Sequence, residues 1–241
     1  VMESGEVSHP ERGTPQGGVV SPLLSNLYLH EVLDVWFEHE VKTRLRGRAF
    51  EVRFADDAAL VFEREEDARR VLAVLSKRFE KYGLRLHPEK TRLVDFRSPP
   101  RAGRGGSQRE RSFALLGFTH FWGRSRKGRW VVQRKTAKDR FTRALREIGH
   151  WCRAHRHWPV AAQQAALRRK LQGHYAYYGI TGNGRALGRF LHEVRRLWRK
   201  WLHRRSWRGR MTWEKFVRLT ARYPLPQPRV VHSIYRRTAT P

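Results

Sequence analysis

Two adjacent carboxylates, Asp56-Asp57, sit between two runs of β-favouring residues, and this pattern limits the local fold more than any other in the chain. Glu51-Val52-Arg53-Phe54 precedes the pair and Ala58-Ala59-Leu60-Val61-Phe62 follows it. The pattern reads as strand, tight turn, strand. Aspartate suits the turn because its side chain can hydrogen-bond nearby backbone. Two neighbouring carboxylates repel, which makes the pair costly. A hard divalent cation removes the cost, and Mg²⁺ is commonly held by one or two carboxylates together with substrate phosphates. Taken alone, such a pair is also compatible with an ordinary solvated turn.

Two further segments change the balance. Gly13-Thr14-Pro15-Gln16-Gly17-Gly18-Val19-Val20-Ser21-Pro22 lies upstream and Gly83-Leu84-Arg85-Leu86-His87-Pro88-Glu89-Lys90-Thr91 lies downstream. With Phe54-Ala55-Asp56-Asp57 between them, their order and spacing resemble reverse transcriptases, and among these the group II intron reverse transcriptase/maturase family. Phe113-Ala114-Leu115-Leu116-Gly117-Phe118 is similar to the primer-grip region of that family. Gln172-Gly173-His174-Tyr175-Ala176-Tyr177-Tyr178-Gly179 resembles the Gly-x-x-x-Tyr stretch of its maturase-specific (thumb) domain. Each motif alone is weak; in this order they reinforce one another across almost the whole chain.

Charge divides the 241 residues sharply. Residues 1–96 carry 15 Lys+Arg against 17 Asp+Glu, and residues 97–241 carry 36 against 5, within a formal net charge of +29. A polycation of this density suits nucleic acid or an anionic membrane surface. No apolar run approaches the roughly 20 residues that span a bilayer, and no signal peptide is evident. A single cysteine, Cys152, excludes an internal disulfide and fits a reducing compartment. The first residue is Val1, not methionine, and a motif follows almost at once. The expectation is a C-terminal portion of a longer protein.

Periodicity supplies the elements. Ser21-Pro22 is a helix-start signal with Ser as N-cap, and Leu24, Leu27, Val32, Trp36 and Phe37 continue it at near-helical spacing. A second amphipathic helix is expected from about Glu66 to Tyr82, ended by Gly83. Short strands are expected around Leu84–Leu86 and Arg92–Phe96, and again within Phe113–Val132. Residues 98–111 read as a loop. Beyond Arg134 the pattern is helical, with Val160, Gln164, Leu167, Leu171, His174 and Tyr178 on one face and Leu191, Val194, Leu197, Trp198, Trp201 and Leu202 on another.

The expected fold is α+β: a partial polymerase palm over 1–97, a linker and primer-grip-like β region over 98–133, and a helical thumb/maturase region over 134–241. The resemblance implies RNA-directed DNA polymerisation, with assistance to intron RNA splicing and mobility, in a bacterial cytoplasm. It implies a two-metal Mg²⁺ site on Asp56 and Asp57. It places nucleotide or template against Pro15, Gln16, Gly17, Phe54, Ala55 and Lys90, and primer against Leu116, Gly117 and Phe118. Phe54 stands where the family more often has tyrosine. Its partners are intron RNA, an RNA template with DNA primer, and deoxynucleoside triphosphates, with no membrane. The family also uses an aspartate on a strand upstream of the Pro-Gln-Gly segment; only Glu3, Glu6 and Glu11 precede it here, so the metal site is expected to be incomplete in this chain. The alternative is an RNA-binding maturase without polymerase activity; a retron or CRISPR-associated lineage fits the C-terminal third less well.

Arg195, Arg196, Arg199, Arg204, Arg205 and Arg208 crowd the last helical region with few acidic partners, which suits RNA binding. Binding of structured RNA is therefore expected to weaken about a thousandfold between 50 and 200 mM salt if roughly 6 phosphates are neutralised. A salt titration of the binding isotherm checks this, and a flat response contradicts it.

Overall fold

The computed structural model describes residues 19–97, 111–125, 127–206 and 210–233, and the backbone of 2–3 and 6–7. The chain divides into two compact units, Val1–Arg111 and Ser112–Pro241. The class is α+β, a partial palm followed by a mostly helical unit, as expected. No described helix is long and apolar enough to cross a membrane.

In the first unit, β1 (Met2–Glu3) and β2 (Glu6–Val7) form a minimal antiparallel ladder. Helix α1 (Ser21–Leu29) begins at the expected place, with Pro22 in its first turn, but the N-cap is Val20 and not Ser21. The helix does not stop at Phe37. It continues through π-helical turns over His30–Val35 and Phe37–Val41 and closes in a 3₁₀ turn at Lys42–Arg44. The wider turn explains which apolar residues are buried. Val32, Leu33, Trp36, Phe37 and Val41 face the core at intervals of four to five residues, whereas Leu24 and Leu27, on the α-helical part, are exposed.

Strands β3 (Ala49–Phe54) and β4 (Asp57–Phe62) pair antiparallel with Phe54 opposite Asp57, leaving Ala55-Asp56 as a two-residue turn. Helix α2 (Glu65–Lys81) follows, with Tyr82 as its C-cap and Gly83 at φ +70, a conformation glycine adopts without steric cost. Its Ala68, Val71, Leu75 and Phe79 are buried, and Val71, Leu75 and Phe79 share one core with the helix formed by residues 21–44. Asp67, also buried, accepts the Arg46 and Gly47 backbone N–H groups at 3.1 and 3.0 Å. That anchors the loop entering β3. The strands expected at Leu84–Leu86 and Arg92–Phe96 are not formed. A strand requires a ladder partner, and residues 84–97 pair with no described strand; Leu84 and Leu86 instead pack as apolar cover on the core.

In the second unit, β5 (Ser112–Leu115), β6 (Phe118–Arg124) and β7 (Trp130–Thr136) form an antiparallel meander. Four helices complete it: α3 (Lys138–Ala154), α4 (Val160–Tyr178), α5 (Gly184–His203) and α6 (Trp213–Arg222). The primer-grip-like sheet therefore belongs to the same unit as the helices. The buried face of α4 is centred on Gln163, Leu167, Leu171 and Tyr175, one step round from the expected stripe. The reason is Gln163. Its amide Nε2 donates to the Trp158 and Arg156 carbonyls at 2.8 and 3.3 Å, and its Oε1 accepts the Trp198 indole N–H at 2.9 Å. A satisfied glutamine is tolerated in a core, so the stripe rotates to include it. On α5 the expected face is present, with Leu191, Val194, Trp198 and Leu202 buried. Cys152 is buried as well, and burial pushes its thiol up to about 12, which leaves it inert at neutral pH.

Asn183 closes this unit. It is buried, its Oδ1 accepts the Thr136 N–H at 3.0 Å, and its Nδ2 donates to Thr136 Oγ1 at 2.9 Å and to the Tyr178 carbonyl at 2.8 Å. The end of β7, the end of α4 and the start of α5 meet on one side chain. Asn183→Ala leaves the buried Thr136 N–H without a partner, and a loss of about 2–3 kcal/mol is expected; chemical denaturation of the variant measures it.

Candidate active site and nucleic-acid interface

Strand β3 inverts the usual arrangement of a half-covered sheet over much of its length, while β4 keeps Leu60 and Phe62 against the core. Alternation turns Ala49, Glu51 and Arg53 toward the helical side, together with their partners Phe62, Leu60 and Ala58. The outward face carries Phe50, Val52, Phe54 and Val61, all exposed, with Phe54 at 67%. Asp57 lies on this outward face as the cross-strand partner of Phe54. Asp56 lies in the turn, and both carboxylates are exposed. Ala55 takes φ +52, and it alone of the two turn residues is left-handed. Primed hairpin turns place a positive φ at their first position and favour glycine there. An alanine in its place stores on the order of 1 kcal/mol or more of backbone strain.

Beneath the turn lies a charged cluster that sequence reasoning missed. Arg53 grips Asp34 in two parallel bonds, Nε to Oδ1 and Nη2 to Oδ2, each 2.6 Å. His30 Nδ1 lies 3.1 Å from Asp34 Oδ2. Arg53 and His30 hold the Asp34 carboxyl below the ordinary range although burial alone would raise it. Glu51, two residues before Arg53 on the same face, is raised from 4.5 to about 7, first by burial and then by the neighbouring Asp34 carboxylate. Its Oε1 is buried and has no hydrogen-bond partner among the described residues. The signal was available: Glu51 and Arg53 alternate with Phe50, Val52 and Phe54, so both charges must share a face.

The remaining expected residues fall in several places. Pro15, Gln16, Gly17 and Arg208 lie outside the described residues. Lys90 is exposed in a turn closed by the Lys90 and Thr91 N–H groups on the His87 carbonyl, at 3.2 and 2.9 Å. Leu116 and Gly117 form the two-residue turn between β5 and β6, at φ +49 and +74. Two positive φ values in succession mark a type I′ turn. A side chain at Gly117 would meet the Tyr178 hydroxyl at 3.1 Å, so both the positive φ and the close contact favour glycine there. The Tyr177 hydroxyl donates to the Leu116 carbonyl at 3.0 Å, and Phe118 stacks on the Tyr177 ring with centroids 5.9 Å apart. The Gly-x-x-x-Tyr stretch thus clamps the primer-grip-like turn.

The arginines of the last region divide into two kinds. Arg195 is within 3.4 Å of Thr220 Oγ1, and Arg205 donates to the His157 carbonyl at 3.0 Å, so both tie structural elements together. Arg196 meets Glu193 at 3.3 Å, which supplies one of the acidic partners the sequence reading counted as scarce. Arg199 lies over the Trp213 ring and Arg204 over Trp201, at 4.9 and 5.5 Å. Trp213 is itself exposed. Paired guanidinium and indole surfaces suit phosphate contact and base stacking together. At the β6–β7 tip, Arg124 covers Trp130 at 4.7 Å in the same manner. A broad groove of about 650 Å³ beside α3 adds Lys138, Arg143 and Arg146.

Residues 2–120 match the sequence profile of the family described as reverse transcriptase (RNA-dependent DNA polymerase). A comparison with curated protein sequences finds no match. The matched region holds the Asp56-Asp57 hairpin, the charged cluster beneath it and the Leu116-Gly117 turn. This part of the chain is similar to reverse transcriptases, a class whose members act on a nucleic-acid template and primer with deoxynucleoside triphosphates. Divalent metals are general in that class. Two adjacent carboxylates on an exposed turn are a hard-oxygen donor pair that fits Mg²⁺; among the described residues no third His, Cys, Asp or Glu joins them.

Glu51 supplies a pH prediction. Its folded pKa lies above its unfolded value, so the native state holds a proton that the unfolded chain has released. The associated stability is fully present below about pH 4.5 and is lost as pH rises through about 7. Glu51→Gln is therefore expected to be more stable than the wild type at pH 8, with the difference closing toward pH 5. Urea midpoints at the two pH values test it.

Proposed function

We propose that this protein is an RNA-directed DNA polymerase of the group II intron type, whose second unit also holds intron RNA and assists its splicing and mobility. The observation that carries the reading is the two-residue hairpin turn that presents Asp56 and Asp57 side by side at an exposed tip, inside the region that matches reverse transcriptases. The intron-type part rests on the Gly-x-x-x-Tyr segment and the basic helices that follow it.

In this reading Asp56 and Asp57 hold Mg²⁺. Mg²⁺ held there would supply charge stabilisation at the attacking primer hydroxyl and the leaving pyrophosphate. Phe54, beside Asp57 on the exposed face, provides an apolar wall for the incoming nucleotide, and Ala55 keeps the turn narrow. Lys90 offers a cation to the triphosphate. Pro15, Gln16 and Gly17 border nucleotide or template. The Leu116-Gly117-Phe118 turn, rigid in its tyrosine clamp, positions the primer. Arg196, Arg199 and Arg204, with Arg208, bind RNA phosphates; Arg195 and Arg205 shape the same surface while bracing it.

A second reading, an RNA-binding maturase without polymerisation, draws on the arginine–tryptophan surfaces around Trp201 and Trp213, which bind RNA equally well in a protein that makes no DNA. One substitution separates the two. In the full-length protein, Asp56→Ala is expected to reduce primer extension on an RNA template to background while leaving RNA affinity within about twofold, because the removed carboxylate serves a metal and not the RNA surface. Parallel extension and binding assays give the answer. Unchanged extension contradicts the polymerase reading, and equal loss of both activities in a folded variant contradicts the division of labour.

A further inference from the structure

We propose that Arg53 is the positioning residue of the Asp56-Asp57 turn, holding the peptide between Ala55 and Asp56 against the long helix beneath the hairpin. This inference rests on the reading of Asp56 and Asp57 as the polymerase carboxylates. Arg53 has five N–H donors in a planar fork, and four contacts are made with them. Two go to Asp34, at 2.6 Å each. Nη1 donates to Asn26 Oδ1 at 3.1 Å and to the Ala55 carbonyl at 3.0 Å.

The last contact is the informative one. The Ala55 carbonyl belongs to the peptide plane that leads directly into Asp56. Fixing its oxygen fixes the direction in which the chain enters the first carboxylate residue. Ala55 is also the strained residue of the turn, at φ +52, and such a conformation persists where its surroundings over-determine it. Arg53 is that surrounding: its side chain is 13% exposed, and its anchors are on the helix and not on the hairpin. Asn26 belongs to α1 and Asp34 to the π-helical turn that follows. A two-stranded hairpin alone is marginal in water, so its tip requires an external reference to hold two carboxylates in one geometry.

Arg53 does not touch the reacting groups. It lies on the inward face of β3, whereas Phe54 and Asp57 share the outward face. Its effect on catalysis is exerted through Ala55. Lysine keeps the charge but is a single point donor on a flexible stem, so it cannot serve Asp34, Asn26 and Ala55 together.

The test uses the full-length protein, with Mg²⁺ as the probe of site geometry. Arg53→Lys, Asn26→Ala and the double variant Asp34→Leu/Arg53→Met are compared with the wild type and with Asp56→Ala. The double variant removes the half-buried pair as a whole, which folds tolerate better than one orphaned partner. RNA affinity and thermal midpoint identify folded variants. Primer extension gives kcat, nucleotide KM and the Mg²⁺ concentration for half-maximal rate. A misplacement of about 1 Å can cost on the order of a hundredfold in rate. Folded Arg53→Lys, or the folded double variant if the lysine form fails to fold, is expected to lose about ten- to a hundredfold in kcat. The Mg²⁺ midpoint should rise and nucleotide KM should change little. Asn26→Ala should show a smaller shift in the same direction. Wild-type kcat and Mg²⁺ midpoint in a folded variant, with Asp56→Ala inactive, would overturn the positioning role alone. Extension by Asp56→Ala would instead overturn the reading of the hairpin on which the role depends.

Discussion

The Arg53–Asp34 ion pair is the constraint on which the first unit depends. It is the point at which the turn end of a two-stranded ribbon is joined by charge to the helix below it, while Ala49, Leu60 and Phe62 join the other end to the core by apolar packing. Burying charge is expensive unless the partners satisfy one another with good geometry, and here the geometry is bidentate. The apolar residues that would ordinarily occupy the covered face of β3 are therefore turned outward. Phe50, Val52 and Phe54 form an exposed wall beside Asp57. An apolar surface next to two carboxylates is poor design for a sheet in water, and in the proposed function it is the face that receives the nucleotide. The same inversion that costs the isolated unit packing energy gives the site its character.

The second unit reaches rigidity by different means. Its core is apolar and includes Trp198, Leu167, Leu171, Leu187, Val194 and Phe216, and two buried amides set its register. Gln163 ties the turn before α4 to Trp198 on α5, and Asn183 ties β7 to the α4–α5 junction. Because each amide makes three hydrogen bonds, each has one arrangement that satisfies it. His174 adds a stacked ring against Phe190 at 3.7 Å, and burial pushes its pKa down to about 4, so it acts as a neutral aromatic. With the interior fixed in this way, the basic side chains outside need not contribute to folding. They remain free to meet phosphate, apart from those that brace neighbouring elements. Among the described residues, the two turns that hold a non-glycine residue at positive φ, at Ala55 and at Leu116-Gly117, have the same logic: each is held by a hydrogen bond to a carbonyl of its tip, from Arg53 in one case and from Tyr177 in the other.

Much of this was legible from local pattern. The hairpin at Asp56-Asp57, helix α2 with its Gly83 terminus, the three strands after Ser112 and the buried face of α5 all follow from spacing of two or of 3.6 residues, because each element is specified by residues close in sequence. Where the reading failed, the missing information was non-local. The strands expected near Leu84 and Arg92 have the right residues, and no described strand lies beside them to form a ladder. The first helix runs past Phe37 because its turns widen, and no 3.6-residue template describes a spacing of four to five. The buried stripe of α4 is shifted by Gln163, a residue that polarity assigns to the surface and that three hydrogen bonds bring inside.

By itself the sequence determined most of the segments that are strands and helices, that a carboxylate pair lies at a tight turn, that one end of the chain is a polycation, and that the motif order resembles that of reverse transcriptases. These are properties of composition and of short-range spacing. Only the tertiary structure decided that Arg53 and Glu51 face the helix while the phenylalanines face outward, that Arg53 closes on Asp34, Asn26 and Ala55 together, and that some of the C-terminal arginines are structural while others are available to a ligand. A guanidinium is identical in every sequence context. Whether it braces a turn, covers an indole or waits for a phosphate depends on which acceptors the fold brings within about 3 Å of it.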